Sequence, residues 1–122
     1  MADKEDRGNI AGNITIEEPY TLWGSIAGDV TAAAGSKFYM RGAIYGSLTV
    51  KRGGRVHVYG NISGDMTVHP KAKVIHSGVI GGDVTNLGGR LYIDASGQVV
   101  GRVKTMAGET TIEPQARIGQ EG

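Results

Sequence analysis

Three histidines, His57, His69 and His76, are the side chains in this sequence best suited to hold a metal ion or change charge near neutral pH. Three imidazoles converging on one ion would make a zinc site. Here they follow one another at spacings of twelve and seven residues, so convergence depends on where the fold puts them. A second candidate is the set Asp29, Asp65 and Asp83, each preceded by glycine. Repeated carboxylates in stacked coils can bind calcium, but that chemistry needs a denser Gly-Gly-x-Gly-x-Asp pattern, and Ser47 interrupts this one. Lys37, Arg55 and Lys73 form a basic set, too few and too poor in interleaved aromatics for a nucleic-acid groove. There is no cysteine, hence no thiolate site and no disulfide. Neither a Walker loop nor a Gly-x-Ser-x-Gly elbow occurs. The Gly-x-x-Gly-Asp runs lead into no helical pattern, so they do not read as phosphate cradles.

The elements that position these residues follow from one repeat. Glycine contributes 21 of 122 residues while aromatics make up only 6%. That composition means either disorder or a chain that turns a corner every few residues, and the spacing decides. Gly-x-[Ile/Val]-x-Gly-x-[apolar] starts at Gly8, Gly24, Gly42, Gly60, Gly78 and Gly97, with intervals of 16, 18, 18, 18 and 19 residues. A partial start follows at Ala116-Arg117-Ile118. Within the central coils an aliphatic residue falls every six: Ile44, Val50, Val56, Ile62, Val68, Val74, Ile80. Helices need spacings of three and four, and hairpin stacks need long alternating runs joined by two-residue turns. A six-residue period inside an 18-residue one gives three short sides per turn, each pointing its aliphatic residue inward. The fold class is therefore all-β: a single-domain triangular parallel β-helix of about six coils of about 18 residues. Periodicity alone does not fix its hand.

Stacking places like on like. Ile26, Ile44, Ile62, Ile80 and Val99 form one expected ladder, and Val30, Leu48, Met66, Val84 and Val103 another. By the same parity His76 faces the interior and His57 faces out, so the three histidines do not meet at one metal. Carbonic anhydrases on left-handed solenoids need that convergence. Hexapeptide acyltransferases need a long inserted loop carrying a histidine, and no insertion longer than one residue interrupts the coils from Gly24 to Ile118. Without such loops no pocket is walled off, and the chain does not read as an enzyme. No cofactor and no metal are expected.

Outward columns carry what surface chemistry remains. Thr15, Thr31, Thr49, Thr67 and Thr85 align on one face, but the neighbouring rank Asn13, Asp29, Ser47, Asp65, Asp83 favours liquid hydration over ice binding. The acidic residues Asp29, Asp65, Asp83 and the basic residues Lys37, Arg55, Lys73 occupy different faces. They could pair rod to rod, or discourage unwanted strand-edge pairing. Trp23, Tyr39 and Tyr59, if they share a corner, form the best patch for a protein partner or a lateral contact.

The recurring Gly-x-Ile-x-Gly-Asp-[Val/Met]-Thr-[Val/Ala], as at Gly24–Ala32 and Gly60–Val68, resembles the bactofilins, polymer-forming cytoskeletal proteins of bacteria. The resemblance spans about Gly8 to Ile118. It implies a right-handed β-helix, nucleotide-independent filaments built by end-to-end stacking, and a scaffold role in cell shape, polar organisation or partner recruitment. Residues 1–7 are expected as a short polar tail, 8–118 as the β-helix domain and 119–122 as a C-terminal tail. Neither tail reads as a cap. The exposed first coil, with Ile10, Ile14 and Ile16, is therefore the expected docking end for another copy. No membrane anchor, signal peptide or nucleic-acid field is visible at a net charge of +1, and the sequence reads as cytoplasmic. The competing expectation is a non-catalytic binding module, a toxin-neutralising or adaptor protein, that uses the aromatic corner.

Overall fold

Runs of two to four residues that alternate inward and outward, separated by glycine, can pair only by winding. That is what the chain does in its computed structural model, which describes residues 4–6 and 8–121. Every regular element among these residues is a strand, and each pairs in parallel with the strand one coil away. The strands sort into three faces. The first stacks Lys4–Asp6, Tyr20–Leu22, Lys37–Met40, Arg55–Val58 and Lys73–His76, then residues 90–93 and 109–112. The second stacks Asn9–Ala11, Ser25–Ala27, Ala43–Ile44, Asn61–Ile62 and Val79–Ile80, then 98–99 and 117–118. The third stacks Ile14–Ile16, Val30–Ala32, Leu48–Val50 and Met66–Val68, then 84–86 and 103–105. The result is a β-solenoid of about six turns. Its ladder begins at Lys4 and runs to Glu121, beyond the 8–118 limits read from the repeat: Lys4–Asp6 lacks the glycine and aliphatic pattern yet pairs with Tyr20–Leu22.

The inward ladders match the expected ones. Ile26, Ile44, Ile62 and Ile80 are in register and fully buried, as are Val30, Leu48, Met66 and Val84. Side chains of this size each contribute roughly 1.5–3 kcal/mol when fully buried, so continuous ladders replace an aromatic core.

The three corners are built differently. Between the first and second faces, successive coils touch so closely that a Cβ on Gly42 would lie 1.8 Å from the Gly24 carbonyl oxygen. The same holds for Gly60 over Gly42, at 1.8 Å. Only glycine fits such a column. Between the third and first faces, the chain turns through a left-handed residue: Gly35 at φ 73°, Gly53 at 74° and, without glycine, Lys71 at 66°. The corner between the second and third faces is closed by side chains that accept backbone protons from the neighbouring coil.

Candidate assembly surfaces

The two ends of the rod are where the backbone ladder stops. Among the described residues, Asn9–Ala11 and Ile14–Ile16 each pair with one strand only, in the following coil, which leaves their other edge open. Ile10 and Ile14 are half-buried, packed against the core from its first coil, whereas Ile16 is closed over at 2% exposure. The expected end residues thus divide into two that present apolar surface and one that does not. At the opposite end Ile112, Ala116 and Ile118 are half-buried against the core, and Met106 stands 70% exposed.

Of the aromatic trio, Trp23 and Tyr59 belong together and Tyr39 stands on the neighbouring column, in register with Thr21 and His57. What joins Trp23 to Tyr59 is Arg41, whose guanidinium lies 5.2 Å from the Trp23 ring centre and 4.2 Å from that of Tyr59. Arg41 stands one coil from each ring, at positions 23, 41 and 59, so the signal for it lay in the repeat itself. The stack satisfies both rings within the chain while each remains about 40% exposed.

Tyr59 also stacks on His57 at 3.8 Å and donates its hydroxyl to Nδ1 at 2.9 Å. His57 Nε2–H then donates to Ser77 Oγ at 3.3 Å, and Ser77 donates to Asp94 Oδ2. This order matters chemically. Ser77 stands between the carboxylate and the imidazole and gives its proton to Asp94, while Nε2 already carries one. Asp94 reaches the imidazole only through Ser77 and so does not hold the ring toward the serine, and the cluster lacks the geometry of an acyl-transfer triad. His57 has its pKa lowered, mainly by burial, with Arg41 adding to the effect and Asp94 opposing it. His76 lies inside the core, as its parity required, and His69 sits at the end of the third face. Among the described residues no group of three or more His, Asp or Glu could hold a metal ion.

The acidic rank is a corner device. Asp29 N–H donates to Asn13 Oδ1 at 2.8 Å, Ser47 N–H to Asp29 Oδ1 at 2.8 Å, and Asp65 N–H to Ser47 Oγ at 3.0 Å. Asp83 N–H donates to Asp65 Oδ1 at 2.7 Å and Arg102 N–H to Asp83 Oδ1 at 2.9 Å. Each side chain accepts the backbone proton of the next coil at the point where the strands bend apart. The shared property of Asn13, Asp29, Ser47, Asp65 and Asp83 is a short side-chain acceptor, and charge is incidental to that job. The basic residues Lys37, Arg55 and Lys73 are in register on the first face, as expected, and the column continues to Arg90. Arg90 escapes the 18-residue rule because it lies 17 residues after Lys73. Arg55, Lys73 and Arg90, with Lys71, line an open concavity beside Gly53 and Gly88.

A rod of stacked coils, open-edged where its described strands end and flat along its sides, is a structural β-solenoid. The family model for bactofilins, described as polymer-forming cytoskeletal, matches residues 5–120. The chain belongs to the bactofilin family. No curated protein and no solved structure gives a significant match. Family membership makes it a polymer-forming cytoskeletal protein of a structural rather than catalytic group. Among the described residues no helix is long and apolar enough to cross a membrane.

Proposed function

We propose that this bactofilin is a bacterial cytoplasmic scaffold whose copies stack end to end into filaments without nucleotide. The observation that carries the reading is the first coil. Among the described residues its strands Asn9–Ala11 and Ile14–Ile16 pair on one edge only, and Ile10 and Ile14 lie half-buried in that coil. An edge of free N–H and C=O groups over apolar side chains is a template for another strand layer. Independence from nucleotide is supported by the sequence, which contains no Walker loop. The aromatic corner is a weaker route to a partner, because Arg41 already occupies the faces of Trp23 and Tyr59 that a ligand would stack on.

Electron microscopy of the purified chain without nucleotide, with sedimentation across a concentration series, tests this. Filaments that lengthen with concentration are expected. Ile10→Glu is expected to abolish them while far-ultraviolet circular dichroism stays that of the parent, because Ile10 belongs to the outermost coil alone. A parent chain that stays a single particle at every concentration, or an Ile10→Glu variant that still forms filaments, would overturn the docking end.

A further inference from the structure

The corner between the third and first faces repeats one solution and then abandons it. Gly35 and Gly53, one coil apart, turn through left-handed backbone that glycine adopts without steric cost. Next in that column stands Lys71, at φ 66°, the one described residue other than glycine held in this region. The same corner one coil later is a residue shorter and passes through Gly88 and Gly89, which put no side chain beside Lys71. An open cavity of about 550 Å³ lies there, of the size that takes a small-molecule ligand. Its charged lining is Lys71 with Arg55, Lys73 and Arg90. The last three are exposed and in register across consecutive coils, about 4.8 Å apart. No side-chain hydrogen bond or ion pair ties any of these four cations to another described residue. No carboxylate lines the cavity, and Glu109, in register beyond Arg90, ends the row. The chain carries 13 cations and 12 anions, so four unpaired cations around one cavity do not follow from composition. Stacked like charges repel, and a lysine in left-handed backbone is strained, yet Gly35 and Gly53 turn the same corner with neither burden.

From this we infer that the cavity binds an oligophosphate, a short chain of linked phosphate groups. The lining selects the class. The guanidinium groups of Arg55 and Arg90 can each grip phosphate oxygens through two N–H donors, and Lys71 and Lys73 add mobile ammonium groups. Glycine at 53, 88 and 89 leaves the floor without side chains, so phosphate oxygens can approach the backbone. Because the cations span three coils, a single phosphate meets only part of the row, and a chain of phosphates meets all of it. No aromatic ring lines the cavity, and its one apolar side chain is the methyl of Ala72. A nucleobase, or the apolar residues of a peptide, would find nothing there to pack on. What the site recognises is therefore the phosphate chain, whether free or carried as the arm of a nucleotide whose base stays in solvent. The site lies on the side of the rod in its central coils, so it is present whether or not rods stack end to end.

Isothermal titration calorimetry of the complete chain with sodium tripolyphosphate tests this, at about 0.1 M salt and without magnesium. Saturable binding at one site per chain is expected, at least about tenfold tighter than that of orthophosphate. ATP under the same conditions should bind no tighter than tripolyphosphate. If ATP binds more than about tenfold tighter, the base is recognised and the assignment of the ligand class is overturned. Lys71→Gly copies Gly35 and Gly53, so it should keep or raise the melting temperature while losing about tenfold in affinity. Arg90→Gln removes a charge from the cavity without touching the turn, and should lose affinity to a similar degree. Lys104→Gln removes the same charge from the third face and should leave affinity within about twofold. Absence of saturable binding would overturn the site. Equal losses in all three variants would also overturn it, because net charge alone would then be attracting the anion.

Discussion

The coils from Gly24 to Val84 and those that follow turn the same corners by different means. In the central coils the strands are two to four residues long, separated by glycine columns whose backbones nearly touch. Beyond Val84 the corner between the third and first faces is absorbed into continuous strands, 84–93 and 98–112, with register shifts at Asn86, Leu87 and Arg90. Between the first and second faces the tight glycine corner gives way to turns, closed by Gly97 N–H to Asp94 O at 2.9 Å and Ala116 N–H to Glu113 O at 3.0 Å. Ala116 stands one coil beyond Gly97, in register with it by the pairing of Gln98 with Arg117. The approach is looser there: a Cβ on Gly97 would lie 2.8 Å from the His76 carbonyl oxygen, against 1.8 Å for Gly60 over Gly42, and Ala116 carries a Cβ one coil further on. Sequence at a corner is thus dictated by how closely neighbouring coils approach, and the repeat relaxes where the approach does.

The sharpest way to break this contrast is Gly60→Ala. The added Cβ would sit 1.8 Å from the Gly42 carbonyl oxygen and 2.9 Å from that of Arg41, both backbone atoms with nowhere to go. A loss on the order of 3–5 kcal/mol is expected, enough to threaten folding of a chain this size. The paired substitution Ala116→Gly should change stability by less than about 1 kcal/mol. Denaturant unfolding of the two variants checks both. Equal losses would show that the glycine corners are not limited by space.

A smaller effect separates the two kinds of interior. Asn86 occupies the inward column of Val50 and Val68, fully buried. Its Nδ2 donates to Gly89 O at 3.1 Å, Glu109 O at 2.9 Å and Thr110 Oγ1 at 3.1 Å. Its Oδ1 accepts from Gly88 N–H at 3.1 Å and Gly89 N–H at 2.8 Å. One amide therefore satisfies the backbone groups that the register shift leaves without ladder partners. Asn86→Val restores the apolar column but strips those partners, and should cost about 2–4 kcal/mol. If the variant is as stable as the parent, the last coils are held by the same apolar stacking as the rest.

The repeat made the central architecture legible and hid the places where it changes. Ile44, Ile62 and Ile80 announced a ladder because identical residues recur at one interval, and the structure stacks them. Arg41 was equally visible at one coil from Trp23 and Tyr59, but reading the aromatics as a set concealed the cation between them. The acidic rank was legible as a column and misleading as a charge, because Ser47 and Asn13 share with the aspartates only an acceptor oxygen. Asn86, 18 residues after Val68, could be placed by counting but not given its hydrogen-bonding role, and Arg90 could not be placed at all, since the residue missing before it and the register shift around Leu87 arise from packing that no interval records. His76 shows both sides: its inward parity was plain, and its hydrogen bonding was not.

That histidine gives the subtlest test of the difference between the two interiors. Asn86 uses both ends of its amide, whereas His76 donates Nε2–H to Gln98 O at 2.9 Å and leaves its buried Nδ1 without a partner. The ring stands in the column between Val58 and Ile93, fully enclosed. Burial holds its pKa below the ordinary 6.5, while the Gln98 carbonyl and Asp94 offset part of that shift. An unfolded chain would bind a proton at His76 as pH drops through 6.5, and the folded chain would not, so stability is greatest above that pH and declines as acidity rises toward the folded value. Melting temperature followed from about pH 8 to pH 5 at one protein concentration should fall more steeply for the parent than for His76→Leu, which fills the same column with nothing to protonate. His57, also lowered by burial, titrates in both chains and drops out of the difference. Parallel curves would mean that the enclosed imidazole is charged without cost, and that the central ladder tolerates a polar group as readily as the coil around Asn86 does.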